Sequence, residues 1–368
     1  MAELFIGLMS GTSMDGIDAA LVDFTSSRPD IISTHSHKYP AALHQQLEAA
    51  LKLEAPLNTD LTAIDVAVGE AFAAATNELL SNTGFTPANI TAIGSHGQTI
   101  RHEPRAPEPY SLQVGNPDII ARQTGIDVVA DFRRADIEAG GQGAPLVPAF
   151  HQAVFANETE NRVILNIGGI ANITILPSDA DIPVSGFDTG PGNTLMDSWA
   201  RTNLQSPMDT NGDWAASGQI DDALLERMLA DAYFRAAPPK STGREYFNPD
   251  WLLQYTADYH INANNIQTTL CELTARTVSM AIQMQAGTAK RLIVCGGGVH
   301  NRQLMKRLAA NLPGMTVETT AAYGISPDWV EATAFAWLAK QCIEGKPGNI
   351  PAVTGAARAV SLGQLSSH

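Results

Sequence analysis

Short apolar runs alternate with polar, glycine-containing segments from the start of the chain. Leu4–Met9 is uninterrupted apolar sequence, residues 10–16 are dense in Gly, Ser, Thr and Asp, and Ile17–Phe24 is largely apolar again. Apolar runs of this length that are bounded by turn-forming residues are typical of buried strands. The pattern therefore predicts a strand, a polar loop and a second strand.

A similar pattern returns in the second half of the chain. The strand-like run Arg162–Leu165 leads into Asn166–Gly169, and Ile170–Leu176 resumes apolar composition. The two segments share few letters but have the same form. Because self-similarity along a chain is the mark of repeated structural units, we expect an internal duplication.

Helical and strand-like patterns alternate through the rest of the sequence. The predicted helices are Ala41–Lys52, Leu61–Thr83, Asn264–Ala286, Asn301–Asn311 and Glu331–Gly345, and further predicted strands are Ile90–Ser95, Ile126–Ala130 and Arg291–Cys295. Such alternation indicates an α/β protein. The length of 368 residues favours two domains. We place them at 1–133 and 134–368, with the crossing within Asp131–Pro145, and we allow for a C-terminal segment that packs back on the first domain.

Composition excludes several classes of partner. The formal net charge of −15 would repel nucleic acid and anionic membranes. No segment approaches the roughly 20 uncharged apolar residues that a membrane helix requires, and Glu3 stands where a secretory signal would carry positive charge. The three cysteines form neither a CxxC pair nor a disulfide framework. We therefore expect a cytoplasmic protein with no nucleic-acid and no membrane partner.

The loop Ser10–Gly16 is a candidate phosphate cradle. Glycine permits the close backbone approach by which N–H groups surround a phosphate. The loop lacks the GxxxxGK[ST] pattern and returns as a strand rather than a helix, which disfavours a P-loop. Taken by itself it could be a plain hairpin, and so could Asn166–Asn172. Together they suggest two hairpins that grip a polyphosphate from opposite domains.

A third glycine-rich segment, Val294–Asn301, follows a predicted strand and opens a predicted helix. Its glycines, Gly296, Gly297 and Gly298, would let an adenosine ring lie against the backbone. The segment is not GxGxxG and no suitably placed acidic ribose ligand is evident, so a Rossmann dinucleotide site is unfavourable. The three segments are therefore interpreted as phosphate, phosphate and adenosine sites.

Long strings through the whole chain resemble the anhydro-N-acetylmuramic acid kinases, within the superfamily of actin, hexokinase and acetate kinase. The strings are GLMSGTSMDGID (7–18), SHGQTIRH (95–102), DFRRADIEAGGQGAPLVP (131–148), NIGGIANIT (166–174), GFDTGPGNTLMD (186–197), PPKSTGREYF (238–247), CGGGVHN (295–301) and NIPAVTGA (349–356). The resemblance implies two ribonuclease-H-like (actin-like ATPase) domains with a nucleotide cleft between them, Mg²⁺ and ATP as cofactors, and a homodimer.

The resemblance also implies a set of nucleotide-binding residues within the three glycine-rich segments. They are Gly11, Thr12, Ser13, Met14, Asp15, Gly16, Ile17, Asp18, Gly168, Gly169, Asn172, Gly296, Gly297 and Gly298. Asp15 and Asp18 are in addition the candidate Mg²⁺ ligands, because an acid beside a phosphate loop can hold the ion directly or through water. Both aspartates could equally be turn-forming residues.

Four further residues receive roles from the same resemblance. Asp188, in GFDTGPGN, is the catalytic base, against the alternative of an aspartate that only satisfies loop amides. Arg133 is a sugar contact rather than a surface cation. Glu331 is a second sugar contact, although an acid at a helix start is favourable for structural reasons too. His96 either contacts substrate or satisfies a buried loop.

The implied reaction combines glycoside hydrolysis with phosphoryl transfer. In a 1,6-anhydro sugar O6 is bound to C1, so water must attack C1 while O6 accepts the γ-phosphoryl group of ATP. The products are N-acetylmuramic acid 6-phosphate and ADP, formed in peptidoglycan recycling. Two alternatives stay open, a kinase for another sugar or a carboxylate in the same superfamily and a non-kinase ATP-dependent clamp.

Overall fold

The computed structural model describes residues 3–11, 14, 16–257 and 261–368. The chain forms two compact units, one of residues 1–154 with 329–368 and the other of residues 155–328. The division falls later than the predicted boundary at 133/134, and the C-terminal residues belong to the first unit. Asp136 gives the physical reason, because its buried carboxylate accepts hydrogen bonds from Asn349 Nδ2 (2.6 Å) and Thr354 Oγ1 (2.7 Å).

A six-stranded mixed sheet forms the centre of the first unit. Its strands are β1 (Leu4–Met9), β2 (Ile17–Asp23), β3 (Asp30–His37), β4 (Ile90–Ser95), β7 (Val128–Ala130) and β13 (Gln364–Ser366), and β5 (Gln98–Glu103) and β6 (Tyr110–Val114) make a separate hairpin. The order is β13-β7-β4-β1-β2-β3. β1, β2 and β3 form an antiparallel meander, β4 lies parallel to β1, and β7 lies parallel to β4.

Helices cover both faces of this sheet. They are α1 (Ala41–Leu51), α2 (Thr62–Ser81), α3 (Pro117–Thr124), α4 (Arg134–Glu138), α5 (Val147–Phe155), α13 (Val330–Ile343) and α14 (Pro351–Thr354). Successive residues of β2 point to opposite faces of the sheet. Ile17 and Ala19 pack in the core that contains Phe72 of α2, whereas Val22 packs in the core that contains Phe335 of α13. The sheet is therefore sandwiched between α2 and α13.

The second unit is built on a five-stranded mixed sheet with the order β10-β9-β8-β11-β12. The strands are β8 (Arg162–Ile167), β9 (Ile170–Leu176), β10 (Ser185–Pro191), β11 (Arg291–Cys295) and β12 (Thr316–Thr319). The helices are α6 (Thr194–Leu204), α7 (Asp213–Ala216), α8 (Asp222–Leu229), α9 (Ala232–Arg235), α10 (Pro249–Thr256), α11 (Ala263–Gln285) and α12 (Arg302–Asn311). Leu165, Leu270 and Val278 lie in its single large core, so α11 packs against this sheet.

The two sheets repeat one topology. In each, three consecutive strands form an antiparallel meander, and the first of them has a parallel neighbour from later in the chain, β4 in one unit and β11 in the other. This is the strand order of the ribonuclease-H-like fold. The predicted α/β class and the internal duplication are confirmed. Within the described residues, no helix is both long and apolar enough to span a membrane.

Candidate active site

The loop between β1 and β2 is closed at its base by buried polar side chains. Ser10 Oγ lies 2.8 Å from both the carbonyl oxygen of Gly16 and Oε1 of Gln98, and Gln98 Nε2 donates to the carbonyl of Gly11 at 3.3 Å. Met14 N–H donates to the same carbonyl. These hydrogen bonds fix the distance between the two ends of the loop. An anion-binding loop requires a backbone fixed in this way.

Three of the residues predicted for this loop, Thr12, Ser13 and Asp15, lie outside the described residues. Ile17 and Asp18 begin β2. Asp18 is paired in register with Ser36, which donates a hydrogen bond to its carboxylate. Because Ile17 packs toward α2, the neighbouring Asp18 points to the face that α13 covers.

Arg133 is held by a buried network that includes His96. Arg133 Nη2 lies 2.9 Å from His96 Nε2, and Nη1 donates to the carbonyl of Gly143 at 2.8 Å. Since a guanidinium only donates, His96 Nε2 accepts, and its Nδ1 carries the hydrogen that bonds to the carbonyl of Gly97 at 2.9 Å. Burial, reinforced by the charge of Arg133, lowers the pKa of His96 to about 3, so the imidazole is neutral.

The hydrogen bonds of Arg133 leave its Nε–H available to a ligand. Its Nε–H is buried and has no hydrogen-bond partner among the described residues. A buried donor without a partner costs free energy comparable to a lost hydrogen bond. Asp131, two residues earlier, has a left-handed backbone with φ of 57°, which is uncommon for a residue other than glycine. The unpaired buried donor of Arg133 and the left-handed backbone of Asp131 thus lie close together in the chain.

Glu331 lies in the first turn of α13 and within electrostatic range of two other predicted site residues. Burial raises its pKa, the negative charge of Asp18 raises it further, and the positive charge of Arg133 opposes both. Burial of the Arg133 side chain lowers the pKa of Arg133 to about 10. The structure therefore brings Asp18, His96, Arg133 and Glu331 together at one end of the first unit's sheet.

In the second unit, Asp188 lies in β10 where the pairing with β9 shifts register by one residue. Its carboxylate Oδ2 accepts a hydrogen bond from Thr242 N–H at 3.0 Å, and Tyr233 Oη donates to its backbone carbonyl at 2.7 Å. Its own N–H donates to the carbonyl of Lys240. The segment that contains Lys240 and Thr242 thus fixes Asp188 from outside the sheet.

The environment of Asp188 gives its carboxyl group a pKa suited to base catalysis. Burial is the largest cause and raises the pKa from 3.8 to about 6, the Thr242 hydrogen bond lowers it, and the charge of Glu245 raises it. An efficient general base has a pKa near the working pH. Asn172 is the register partner of Asp188 across β9, and Asn166 is the partner of Asn172 across β8. Directly opposed residues share a face, so these three polar side chains form a row.

Gly168 and Gly169 form the two-residue turn between β8 and β9. Their carbonyls accept hydrogen bonds from the N–H groups of Gly192, Asn193 and Thr194 at the start of α6. A Cβ on Gly169 would lie 2.8 Å from Nε of Arg244, so the glycine permits this guanidinium to lie against the turn. A glycine turn beside an arginine is a suitable place for a phosphate group.

The three glycines after β11 have different surroundings. A Cβ on Gly296 would lie 2.3 Å from Asn166 Oδ1, and one on Gly298 would lie 2.3 Å from Ile167 Cγ2. A Cβ on Gly297 would meet no described atom within 4 Å apart from its chain neighbours. Gly296 and Gly298 therefore allow the loop to pack on the end of β8, whereas Gly297 is the one that leaves space for a ligand.

Sequence reasoning missed three residues that hold the predicted site residues in place. Gln98 forms hydrogen bonds with the loop between β1 and β2, and Tyr233 donates one to the backbone carbonyl of Asp188. Asp136 anchors the segment that contains Arg133. Gln98 and Asp136 occur within the strings SHGQTIRH and DFRRADIEAGGQGAP, so their position in family-like strings was the available signal. Tyr233 lies outside all of these strings, and only the fold brings it to Asp188.

Two units that each have the ribonuclease-H-like strand order define the fold of the actin-like ATPase and sugar-kinase class. The sequence model described as anhydro-N-acetylmuramic acid kinase matches residues 3–368. A relative with that name from Shewanella frigidimarina is 52% identical over 362 residues, which cover 98% of this chain and 97% of the relative. Another, from Shewanella amazonensis, is 51% identical over 362 residues, which cover 98% of each chain. The chain belongs to the anhydro-N-acetylmuramic acid kinase family and is a phosphotransferase.

Two solved structures that resemble this chain are distant from it in sequence. The activator of 2-hydroxyisocaproyl-CoA dehydratase from Clostridium difficile with bound ADPNP has a TM-score of 0.47 and 11% identity, with coverage of 91% of this chain and 93% of that chain. A ROK family glucokinase from Streptomyces griseus in complex with glucose and AMPPNP has a TM-score of 0.40 and 13% identity, with coverage of 92% and 99%.

Proposed function

We propose that this chain uses ATP to phosphorylate O6 of anhydro-N-acetylmuramic acid while water opens the 1,6-anhydro ring, in peptidoglycan recycling. The products are N-acetylmuramic acid 6-phosphate and ADP. The observation that carries the proposal is the carboxylate of Asp188. It is fixed by Thr242 N–H and has a pKa of about 6, in a chain that belongs to this kinase family over residues 3–368.

The chemistry of the substrate explains why a base and a phosphate donor must act together. O6 has no proton to remove, because it is one end of the acetal bridge. Asp188 accepts a proton from water as the water oxygen bonds to C1, the C1–O6 bond breaks, and O6 bonds to the γ-phosphorus as ADP leaves. The phosphoryl group takes the charge that develops on O6, so the mechanism needs no separate carboxylic acid.

The substrate-binding residues that we propose are Arg133 and Glu331, which contact the sugar, and His96, which supports them. Arg133 has an unpaired buried Nε–H to offer. Glu331 has a raised pKa and can present either an oxygen acceptor or a hydroxyl donor. Both ring nitrogens of His96 already have partners, so we propose that it acts mainly by orienting Arg133.

We propose that the loop at 11–18 and the loop at 168–172 are each phosphate-binding, that Arg244 is a further donor beside the second loop, and that adenosine lies against Gly297. The residues fit a magnesium ion, because Asp18 supplies a carboxylate close to a second acid, Glu331, and oxygen ligands are those that Mg²⁺ prefers. Asp15 would be a further oxygen ligand. The ion would neutralise negative charge on the phosphate oxygens.

We further propose a cytoplasmic homodimer that binds neither nucleic acid nor membrane.

Isotope labelling in the product tests the reaction. The purified chain is incubated with anhydro-N-acetylmuramic acid and Mg·ATP in ¹⁸O-water, and the product is examined by mass spectrometry before exchange at C1. We expect ADP and one labelled oxygen, at the C1 hydroxyl, with none in the phosphate group. Label in phosphate would mean that water attacks phosphorus, and the kinase proposal would be wrong. Asp188→Asn is the matched control and should form both products about 10²- to 10⁴-fold more slowly.

A further inference from the structure

Two histidines and a glutamate come together where an outer strand of the first unit's sheet packs against a helix. None of them has a role in the proposed reaction. His35 and His37 are alternate residues of β3, and Glu78 lies in the last turn of α2. Alternate residues of a strand point to the same face. β3 is the edge strand of its sheet, and α2 packs against it. The two imidazoles therefore face the end of α2.

The three side chains already have the geometry of a ligand set. Glu78 Oε2 lies 2.7 Å from His35 Nε2 and 2.9 Å from His37 Nδ1. One nitrogen or oxygen atom from each residue lies within 4.8 Å of the others, an arrangement that no other trio of His, Cys, Asp or Glu reaches in the described part of the chain. In a tetrahedral site with bonds of about 2.0–2.1 Å, ligand atoms lie about 3.3 Å apart. Both distances from Glu78 Oε2 are shorter than this, so the carboxylate would move away from the imidazoles when an ion binds between them.

The cluster is open enough for an ion to enter. The side chain of Glu78 is 48% exposed, and those of His35 and His37 are 26% and 19% exposed. A negative charge in the last turn of a helix is unfavourable with the helix dipole, and α2 has no basic residue there to offset it. A bound cation would remove that conflict.

We propose that His35, His37 and Glu78 bind a divalent transition-metal ion of the zinc class, with the fourth position taken by water. Two imidazoles and one carboxylate suit Zn²⁺, Co²⁺ or Ni²⁺, whereas Mg²⁺ prefers oxygen ligands throughout. The site is therefore chemically distinct from the magnesium site of the proposed reaction and independent of it. The ion would fasten the edge strand β3 to α2.

Binding of Co²⁺ to the full chain tests this site. The titration is done without nucleotide and with Mg²⁺ in excess, so that all-oxygen sites are occupied. We expect one Co²⁺ per chain, a visible d–d absorption, displacement by Zn²⁺, and a rise in Tm on adding Zn²⁺. His35→Gln, His37→Gln and Glu78→Gln should each weaken Co²⁺ binding by more than about tenfold. Each variant's Tm in chelator, compared with the native chain, shows that the fold is intact.

Matched controls come from histidine–carboxylate pairs that form no such trio among the residues that the structure describes. His300 lies 2.8 Å from Asp328, and His44 lies 3.9 Å from Glu48. His300→Gln and His44→Gln should leave Co²⁺ binding unchanged. The proposal is wrong if the native chain binds no Co²⁺ under these conditions, or if the double variant His35→Gln/His37→Gln binds it as tightly as the native chain. A thiolate charge-transfer band would place the ion on cysteine and would also overturn it.

Discussion

Asp188 is the residue whose protonation state should set the pH range of the reaction. A general base works only when ionised, and burial raises the pKa of this carboxyl group to about 6. We expect kcat/KM for the sugar to fall about tenfold for each pH unit below about 6 and to level off above it. Measurement across this range checks the prediction. Neutral His96, with a pKa of about 3, should add no second step.

Replacing Asp188 by Asn should lower turnover by about 10²- to 10⁴-fold while ATP affinity changes little, because only the base is removed. Steady-state kinetics and nucleotide titration measure both quantities. Thr242 N–H can still donate to the amide oxygen, so the fold around the residue should be retained. Turnover close to that of the native chain would refute the role of Asp188.

The same substitution should stabilise the protein at neutral pH. The folded-state pKa lies above the ordinary value of 3.8, so stability is lost as pH rises from about 4 through about 6. One pKa unit corresponds to about 1.4 kcal/mol, and ionised Asp188 therefore costs the folded state about 1–3 kcal/mol at pH 7. We expect Asp188→Asn to unfold at higher denaturant than the native chain at pH 7 but not at pH 4. An equal difference at both pH values would contradict the pKa.

Arg133 should not be replaceable by Lys. Lysine keeps the charge, but its ammonium group lacks the planar guanidinium that can bond to His96, the Gly143 carbonyl and a ligand at the same time. Because a hydrogen bond to a charged group contributes about 1.5–3 kcal/mol, KM for the sugar should rise about 10- to 100-fold in Arg133→Lys. KM for ATP is the internal control. A similar rise in both constants would indicate a structural rather than a sugar-binding role.

The turn that follows β11 allows a contrast between neighbouring glycines. Gly297→Val puts a side chain into open space, so we expect weaker ATP binding and an unchanged Tm. Gly298→Val puts a Cβ 2.3 Å from Ile167, and such overpacking costs about 1–3 kcal/mol. Calorimetry of ATP binding and thermal unfolding separate the two variants. Unchanged ATP affinity in Gly297→Val would remove adenosine from this turn.

The elements that the sequence predicted are those with strong apolar patterns. Leu4–Met9, Ile90–Ser95 and Arg291–Cys295 have the bounds that were predicted, because each is a buried run between turn-forming residues. β3, with the sequence DIISTHSH, gave no such signal since it is a partly exposed edge strand. β13 is only three residues long and forms by pairing with β7, a contact that local sequence does not encode.

The site was predictable only through the resemblance to a family. Composition and spacing suggested phosphate and adenosine loops, but they gave no reason to place Asn172 opposite Asp188. That pairing depends on the register of β9 and β10, including the shift at Asp188. Likewise, the convergence of Arg133, His96 and Glu331 requires three distant segments to meet at one end of a sheet. The roles of these residues stay predictions until the variants are measured.

For the whole molecule, the discontinuous first unit predicts which fragments fold. Residues 155–328 are contiguous and contain their own large core, so this fragment should unfold cooperatively by itself. In the first unit, Phe335, Leu338 and Leu362 supply much of the core on one sheet face. A fragment of residues 1–154 would expose that face to water and should aggregate.

Adding residues 329–368 to that fragment should restore the missing layer. The returning segment also supplies Asn349 and Thr354, which donate to the buried carboxylate of Asp136. Co-expression of 1–154 with 329–368 should therefore give a soluble complex with a single unfolding transition. Asp136→Ala in 1–154 removes the acceptor for both donors and should weaken the complex, because unpaired buried donors cost about 1–3 kcal/mol each. A stable, monomeric fragment of residues 1–154 would show instead that the returning segment is not part of the folding unit.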